Sequence, residues 1–453
     1  MIDYRLVDCI LSHKAYLTEG SIFGHLMKLA LPALVGILCT FSFIIVDTYF
    51  ISLVGQEDLT AISYATPVVD FIIGIAIGIG IAISSVVARR IGAGDYEQVQ
   101  RYVGYSVVLC FIISVILTLV GILTITPTFK MLGASALNLP KIYDFMVIWY
   151  LGIFLLFMSF VMTNALRAYG MAKSPAMVQI LMAIINVGLD PIFIFVFDLG
   201  IMGAAIAGLL SRIIGFVILF RILKKQGLIV FDIKGKLRDM LSAWKEMFSI
   251  SIPASITNII GPIASLWMTY LLATTSQNAV AGLGIAAKVQ MLVLIPMFVL
   301  SASIGPIVGQ NFTAKFPDRS YQTLNLCVYL SIAWGIVVTI LLFFIAPYLS
   351  IIFSSNKETL NVANTYMYII PISYIGWGVI MMVNANFNSL GHAKRATFIS
   401  FVRMIVLFLP LSALMYYFFD YIGVFVAFSI STILVAIFAY YWAYSDYKLK
   451  LIK

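Results

Sequence analysis

The chain has 453 residues, of which 62% are hydrophobic and only 10% are charged. Soluble globular domains carry about 25% charged residues, so the composition excludes an ordinary soluble protein and indicates a polytopic membrane protein. The net charge of +9 does not favour a nucleic-acid-binding protein, because the basic residues are spread over alternate loops and form no single patch.

Twelve apolar stretches follow one another along the chain, each long enough to cross a bilayer as a helix of about 20 residues. They are His25–Leu53, Leu59–Val87, Tyr102–Ile125, Ile142–Tyr169, Ala176–Phe197, Ile201–Leu223, Met247–Thr275, Val280–Val308, Tyr321–Ile345, Thr365–Leu390, Ala396–Phe419 and Tyr421–Tyr444. The sequence therefore predicts an all-α membrane protein with twelve transmembrane helices.

The segment before the first stretch lacks the basic region, short apolar segment and small-residue cleavage site of a signal peptide. We expect the first span to stay in the protein as an anchor. Basic residues are frequent after each even-numbered span and rare in the other loops. By the positive-inside rule, both termini are expected to be cytoplasmic.

The cysteines and histidines do not indicate a metal centre. Cys9, Cys39, Cys110 and Cys327 lie far apart and show neither metal-binding nor redox spacing, so we expect them to pack in the core. All three histidines fall at the predicted cytoplasmic edge. The sequence contains no recognisable pair of nucleophile and general base and no phosphate-binding loop. An enzyme is therefore the least favoured class, and no cofactor is expected.

The chain contains two related halves at a nearly constant offset of 221 residues. LALPA around Pro32 matches ISIPA around Pro253, and GMAK at Gly170 matches GHAK at Gly391. With a one-residue adjustment, the small residues after the fifth and eleventh spans also match, among them Gly203 and Gly423. Each repeat holds six spans, so the repeats have the same orientation and are related by an axis along the membrane normal.

The repeat predicts an N-lobe at 1–223, a cytoplasmic connector at 224–246 and a C-lobe at 247–453, with the lobes around a central cleft. This is the arrangement of an alternating-access transporter with a substrate site near the midplane. A channel or a membrane enzyme can also be duplicated, so the repeat alone does not decide the function.

Three acids lie well inside predicted spans, namely Asp47, Asp70 and Asp190. Charged residues inside a membrane are costly and usually functional. The matching positions of the second repeat hold Met268, Met291 and Leu411. We therefore expect the ion chemistry to lie in the first lobe.

The surroundings of two of these acids favour a coupling site. Asn186 lies four residues before Asp190, so the two side chains share a helix face. Pro191 removes a helical N–H, which frees a carbonyl as a potential ligand, and Pro32 permits a bend in the first span. Since burial and a nearby acid both favour the neutral form of a carboxyl, Asp47 and Asp190 are expected to load and release a proton or to hold Na⁺.

Structural roles compete with these interpretations. Asp47 and Asp190 could instead bond a neighbouring helix. Asp70, Lys288 and Arg212 are candidates for the substrate cavity. However, Asp70 lies nearer the outer end of its span, Lys288 can extend to the interface, and Arg212 can pair with an acid or cap carbonyls. The amides that could line the second lobe are Asn258, Gln290, Asn384 and Asn386. Amides at helix contacts are also commonly structural.

The chain resembles the multidrug and toxic compound extrusion (MATE) family over essentially its whole length. The resemblance rests on VDTYFI in the first span, VARRIGAGD after the second, NVGLDPIFIF in the fifth, GIMGAAIAGLLSR after it and VGQNFTA in the second half. It implies a twelve-helix antiporter that expels cationic amphipathic compounds in exchange for H⁺ or Na⁺ and thereby confers antibiotic resistance. It also implies that Asp47, Asn186 and Asp190 form the coupling site and that Pro32 lets the first helix bend. We expect the protein to lie in a bacterial or archaeal plasma membrane and, because one chain supplies both lobes, to be a monomer.

Two departures from family members bear on the ion. Members similar to the NorM branch carry acids in spans seven and ten, whereas the matching spans here hold none, so the chain looks more like the DinF branch. Some DinF-like members place a threonine in span six that helps to bind Na⁺, and the matching residue here is Gly208. The missing hydroxyl weakens the expectation of Na⁺ coupling.

Three functions stay open. The first is H⁺-coupled export of organic cations, and the second is Na⁺ coupling on the same scaffold, with Na⁺ at Asp47, Asn186 and Asp190. The third is a flippase for a lipid-linked saccharide or an exporter of a native metabolite. The interior acids argue against a pyrophosphate lipid, which would favour a basic cavity.

Overall fold

The computed structural model describes residues 16–229 and 237–449, almost all of them helical. The α-helices are α1 Ile22–Val54, α2 Gln56–Gly92, α3 Tyr96–Met131, α4 Leu139–Leu151, α5 Ile153–Ala168, α6 Lys173–Pro191, α7 Gly200–Lys225, α8 Leu237–Thr275, α9 Gln277–Thr313, α10 Pro317–Phe353, α11 Lys357–Ile369, α12 Pro371–Ser389, α13 Ala393–Phe401 and α14 Leu409–Lys448. Two π-helical segments, Ile192–Val196 and Val402–Phe408, continue α6 and join α13 to α14. Both chain ends, with Cys9, and part of the expected connector lie outside the described residues.

The helices account for twelve membrane spans in the described part of the chain. Nine helical stretches are long and apolar enough to cross a bilayer, and two bent pairs, α4 with α5 and α11 with α12, bring the number to eleven. One of the nine runs over 56 residues from Ala393 to Lys448. A straight helix of that length would extend about 84 Å, more than twice the roughly 30 Å of the hydrocarbon core.

A turn divides this long stretch into two spans. Asp420 has a left-handed φ of 53° inside α14, so the chain reverses there. Asp198, between spans five and six, has the same φ of 53°. Aspartate tolerates this conformation better than most residues, because its short side chain can bond locally. The prediction of twelve transmembrane helices is therefore confirmed.

The fourth span of each repeat is bent. The axes of α4 and α5 differ by 42° at Gly152, and those of α11 and α12 differ by 50° at Ile370. Pro371 follows the second break and cannot donate the hydrogen bond that would continue α11. The two repeats thus share a bend as well as a sequence pattern.

Corresponding glycines allow close helix contact in the two repeats. A Cβ atom on Gly203 would lie 2.6 Å from the carbonyl oxygen of Phe193, and one on Gly423 would meet the carbonyl of Met415 even more closely. Because a side chain at either position would collide with backbone, only glycine permits this packing. The match between Gly203 and Gly423 thus corresponds to one shared contact.

The chain divides into two compact units, each with its own apolar core. The first comprises Met1–Glu19 with Met27–Ile252, and the second comprises Gly20–Leu26 with Pro253–Lys453. The division falls inside α8, so the beginning of this helix groups with the first unit.

A charged cluster fixes the beginning of α8 within the first unit. The carboxylate of Glu246 accepts hydrogen bonds from Arg89 at 3.0 Å, from Arg90 at 2.9 Å and from the hydroxyl of Tyr102 at 2.7 Å. The indole N–H of Trp244 donates to a carbonyl of α3 at 2.9 Å. Charge-assisted bonds of this kind are stronger than neutral ones, so they hold the helix start in place.

Candidate functional site

The centre of the candidate site is a buried carboxyl on α6. Asp190 is 0% exposed, and Asn186, one helical turn earlier, is 3% exposed. The amide nitrogen of Asn186 donates to Oδ1 of Asp190 at 2.7 Å, as their spacing predicts. Oδ2 of Asp190 has no hydrogen-bond partner among the described residues. A buried carboxyl with a free oxygen can hold its own proton or accept a cation.

The backbone changes character directly after this pair. Pro191 ends α6, and residues Ile192–Val196 form a single π-helical stretch. A proline lacks the N–H that an α-helix requires, and isolated π turns occur frequently at functional sites. The local sequence thus explains why the regular helix ends beside Asp190.

Asp47 joins this pair from α1. Its half-buried carboxylate interacts electrostatically with Asp190, of like charge, and with Arg212 on α7, of opposite charge. The structure therefore brings together the two acids that the sequence analysis selected, although they are 143 residues apart along the chain. Two neighbouring acids form a site in which the binding of one cation removes a repulsion.

A cavity of about 560 Å³ lies in the first unit beside these residues. Five of the six spans of this unit contribute to its wall. Its charged lining residues are Asp47, Asp70, Arg167 and Arg212. The wall is also aromatic, with Phe43, Phe145, Trp149 and Phe160. This volume and lining are typical of a binding site for a small organic molecule.

The charge of the cavity differs from the expected one. The interior acids alone argue against a basic cavity, but two arginines on the wall balance Asp47 and Asp70. Nε of Arg167 is buried and has no hydrogen-bond partner in the described part of the chain. The cavity can therefore contact an anionic group as well as a cationic one.

Arg167 lies at the end of the fourth predicted span, among the basic residues that the positive-inside rule places on the cytoplasmic side, so its sequence position indicates no cavity role. Arg167 is in fact the last member of a stripe along α5 that faces the cavity. The stripe consists of Leu156, Ser159, Phe160, Thr163, Asn164 and Arg167. This spacing is that of one helix face, and its polar members could have revealed the cavity wall.

The other candidates occupy different surroundings. Asp70 and Arg212 lie on the cavity wall, as does Gly208, where an added Cβ would lie 3.9 Å from Oδ1 of Asn186. Pro32 lies inside α1, where a helix can bend. Of these residues, Gly208 therefore lies close to Asn186, and Arg212 interacts electrostatically with Asp47.

The candidates of the second repeat belong to the second unit. Gln290 accepts hydrogen bonds from the hydroxyls of Tyr366 at 2.5 Å and Tyr374 at 3.3 Å. Asn258 donates to a carbonyl of its own helix at 2.8 Å, and Lys288 is exposed on α9. Gln290 and Asn258 therefore have structural partners.

Two stretches of the chain, residues 32–192 and 253–414, match the family model MatE. Together they cover more than half of the chain, and they begin at the two prolines that the internal repeat pairs. The chain belongs to the MatE family. The family resemblance is therefore confirmed, and this MatE protein is a membrane transporter of small molecules.

Relatives across the whole length agree with this assignment. The MatE chain is 34% identical to a protein of Shewanella oneidensis named FAD transporter, over 92% of this chain and 93% of that protein. It is 26% identical to the probable multidrug resistance protein YoeA of Bacillus subtilis, over 85% of this chain and 86% of the relative.

Solved structures agree with the fold. The MATE transporter VcmN of Vibrio cholerae, as a point mutant, is 27% identical to this chain, with a TM-score of 0.90 over 95% of this chain and 97% of that one. The bent form of the same transporter also gives a TM-score of 0.90, over 94% and 97%.

Proposed function

We propose that this MatE transporter exports organic molecules in exchange for H⁺, with Asp47, Asn186 and Asp190 as the coupling site. The observation that carries the proposal is the buried carboxyl of Asp190, which has one oxygen without a partner among the described residues and interacts electrostatically with Asp47 on the cavity wall. We also propose that the protein is a monomer in a bacterial inner membrane, with both termini in the cytoplasm.

The coupling step follows from the repulsion between the two acids. A proton that enters from outside neutralises one member of the pair, which removes its attraction for a bound cation or for Arg212. The change in charge alters the forces on α1, which can bend at Pro32, and substrate leaves outward. Inward movement of positive charge is driven by the membrane potential, by about 2.3 kcal/mol per charge per 100 mV.

The first candidate substrates are cationic amphipathic compounds. Asp47 and Asp70 supply negative charge, and the aromatic wall supplies the apolar surface on which such molecules bind. The relatedness to a probable multidrug resistance protein supports this class.

A second candidate is a flavin nucleotide. It is favoured by Arg167 and Arg212 on the cavity wall, because arginine pairs with phosphate groups through two hydrogen bonds. The full-length similarity to a protein named FAD transporter supports the same class.

The alternative coupling ion is Na⁺ in place of H⁺. Gly208 offers no side-chain oxygen to a bound Na⁺.

The test uses inverted membrane vesicles with an acidic interior in buffer free of Na⁺. Ethidium or FAD is added, and collapse of the pH gradient is recorded for the wild type, for Asp47→Asn and for Asp144→Asn. Asp144→Asn is the matched control, since it makes the same change at an exposed acid with no partner among the described residues. We expect collapse in the wild type and the control but not in Asp47→Asn. Equal collapse in Asp47→Asn contradicts the proposal, and collapse only after Na⁺ is added favours the alternative ion.

A further inference from the structure

The second unit contains a buried arginine that sequence analysis did not single out. Arg403 is 6% exposed, and its Nε and Nη1 atoms have no hydrogen-bond partner in the described part of the chain. It lies in the π-helical segment Val402–Phe408 of the eleventh span. Arg403 is ten positions after Ala393, the first residue of α13. It therefore lies roughly 15 Å from that end of the helix, measured along the axis. A buried charge without a partner is costly, and a functional site is the usual reason to keep one.

An aromatic ring supports the guanidinium group. The centre of the Arg403 guanidinium lies 5.1 Å from the ring centroid of Trp377 on α12. Trp377 itself contacts Phe428 edge to face at 5.8 Å. This cation–π contact stabilises the charge without using any of its N–H groups, which stay available to a ligand.

A free acceptor lies on the same face of α12. Asn384 follows Trp377 by seven residues, which is two helical turns. Its amide nitrogen donates to the hydroxyl of Ser400 at 3.1 Å, and its buried Oδ1 has no partner among the described residues. Ser400 precedes Arg403 by three residues, so the free acceptor and the free donors both face the contact between α12 and the eleventh span.

The internal repeat relates this place to the cavity of the first unit. At the offset of 221 residues, Trp377, Asn384, Ser400 and Arg403 correspond to Leu156, Thr163, Gln179 and Met182. All four of the latter line the cavity wall. Since the repeats share their bends and their glycine contacts, Arg403 holds a position that faces the interior cavity in the other repeat.

We propose that Arg403 binds the anionic group, a phosphate or carboxylate, of an aromatic substrate in the second unit. This rests on the proposed function and deepens it, because it specifies the substrate class. The guanidinium donates to the anion through its free N–H groups, and Oδ1 of Asn384 accepts from an N–H or O–H of the substrate. A phosphate could also come from a lipid headgroup, so the experiment separates these sources.

The experiment measures equilibrium binding to the purified full-length protein in phosphatidylcholine nanodiscs. The probes are riboflavin 5′-phosphate and riboflavin, which differ only in a phosphate group and report binding by flavin fluorescence. Wild type is compared with Arg403→Gln, with Arg403→Lys, which keeps the charge but not the planar donor set, and with Arg221→Gln as a control. Arg221 is exposed and has no partner in the described part of the chain.

We expect the wild type and Arg221→Gln to bind the phosphorylated flavin at least about tenfold more tightly than riboflavin. Arg403→Gln should lose this preference with little change in riboflavin binding, and Arg403→Lys should keep part of it. An unchanged preference in Arg403→Gln, or no preference in the wild type, overturns the proposal. Arg403→Met serves as a second variant if the Gln variant fails to fold, as judged by gel filtration.

Two further arms separate the alternatives. If Arg403→Gln alters only the amount of phosphatidylglycerol that the purified protein retains, and not its flavin binding, a lipid occupies the site and the proposal is overturned. Asp47→Asn should keep the flavin preference, because binding requires no proton gradient. Gradient-driven transport by Asp47→Asn equal to that of the wild type, together with a preserved Arg403-dependent preference, would contradict H⁺ coupling through Asp47 and leave the anion site standing.

Discussion

The oxygen atoms around Asp190 bear on the coupling ion that we propose. Asn186 supplies one amide group, Asp190 has one free carboxyl oxygen, and Gly208 adds nothing although it faces the amide. A proton needs a single oxygen, whereas hard metal cations require several oxygen ligands at once. The missing side-chain oxygen at Gly208 thus supports the proposal of H⁺ as the coupling ion.

This argument predicts the effect of restoring a hydroxyl. Gly208→Thr places an oxygen near Asn186, where an added Cβ has 3.9 Å of clearance. We expect transport by this variant to become stimulated by Na⁺, measured as substrate uptake into inverted vesicles with and without Na⁺ at constant pH. Gly208→Val is the control, because it has the same shape without the hydroxyl. Equal stimulation of both variants would show that bulk, and not the oxygen, is responsible.

The sequence predicted the acids of the site and one of its arginines, Arg212, and missed the other, Arg167. Asp47 and Asp190 are conspicuous because acids are rare in apolar runs. Arg167 lies one turn from a loop, so its charge alone does not distinguish a solvated end from a cavity wall. Arg403 was missed although it lies inside a predicted span. Its significance depends on the absence of a partner on neighbouring helices, which only the packing reveals.

At the scale of helices, backbone contacts determine the packing of each repeat. Gly203 and Gly423 bring the sixth and twelfth spans against the backbone that precedes them. The sequence predicted where spans lie, but it did not predict the bends of 42° and 50° in the fourth and tenth. A continuous apolar run indicates that a helix crosses the membrane and not whether its axis is straight.

The close contact predicts that Gly203→Ala destabilises the protein by about 1–3 kcal/mol, because the added methyl group overlaps the Phe193 backbone. Gly284→Ala is the control, since nothing lies within 4 Å of an added Cβ at this helical position. It should raise stability by roughly 0.5–1 kcal/mol, as alanine favours the helix. Thermal unfolding in detergent measures both. A Gly203→Ala variant as stable as Gly284→Ala would disprove the contact.

At the scale of the whole molecule, the two repeats share geometry and differ in charge. Both have six spans, a bent fourth span and a glycine contact after the turn. Only the first holds an acid pair, since Asp47 and Asp190 are matched by Met268 and Leu411. The acid pair to which we assign ion coupling is therefore confined to the first repeat.

This asymmetry predicts that an acid moved to the second repeat does not replace Asp190. In an Asp190→Asn background, Leu411→Asp should leave gradient-driven transport at background level. The reason is that the counterparts of Asp47 and Asn186 are Met268 and Leu407, which offer neither a second charge nor a hydrogen bond. Transport restored in the double variant, at equal amounts of folded protein, would show that the repeats are interchangeable.

The left-handed turn at Asp198 also matters while the protein is being made. The insertion machinery meets spans five and six as apolar residues separated only by this short reversal. If the reversal failed and the pair inserted as one crossing, five crossings would precede the connector instead of six. Every later span would then enter the membrane upside down. The orientation of half of the molecule therefore depends on one reliable turn during biosynthesis.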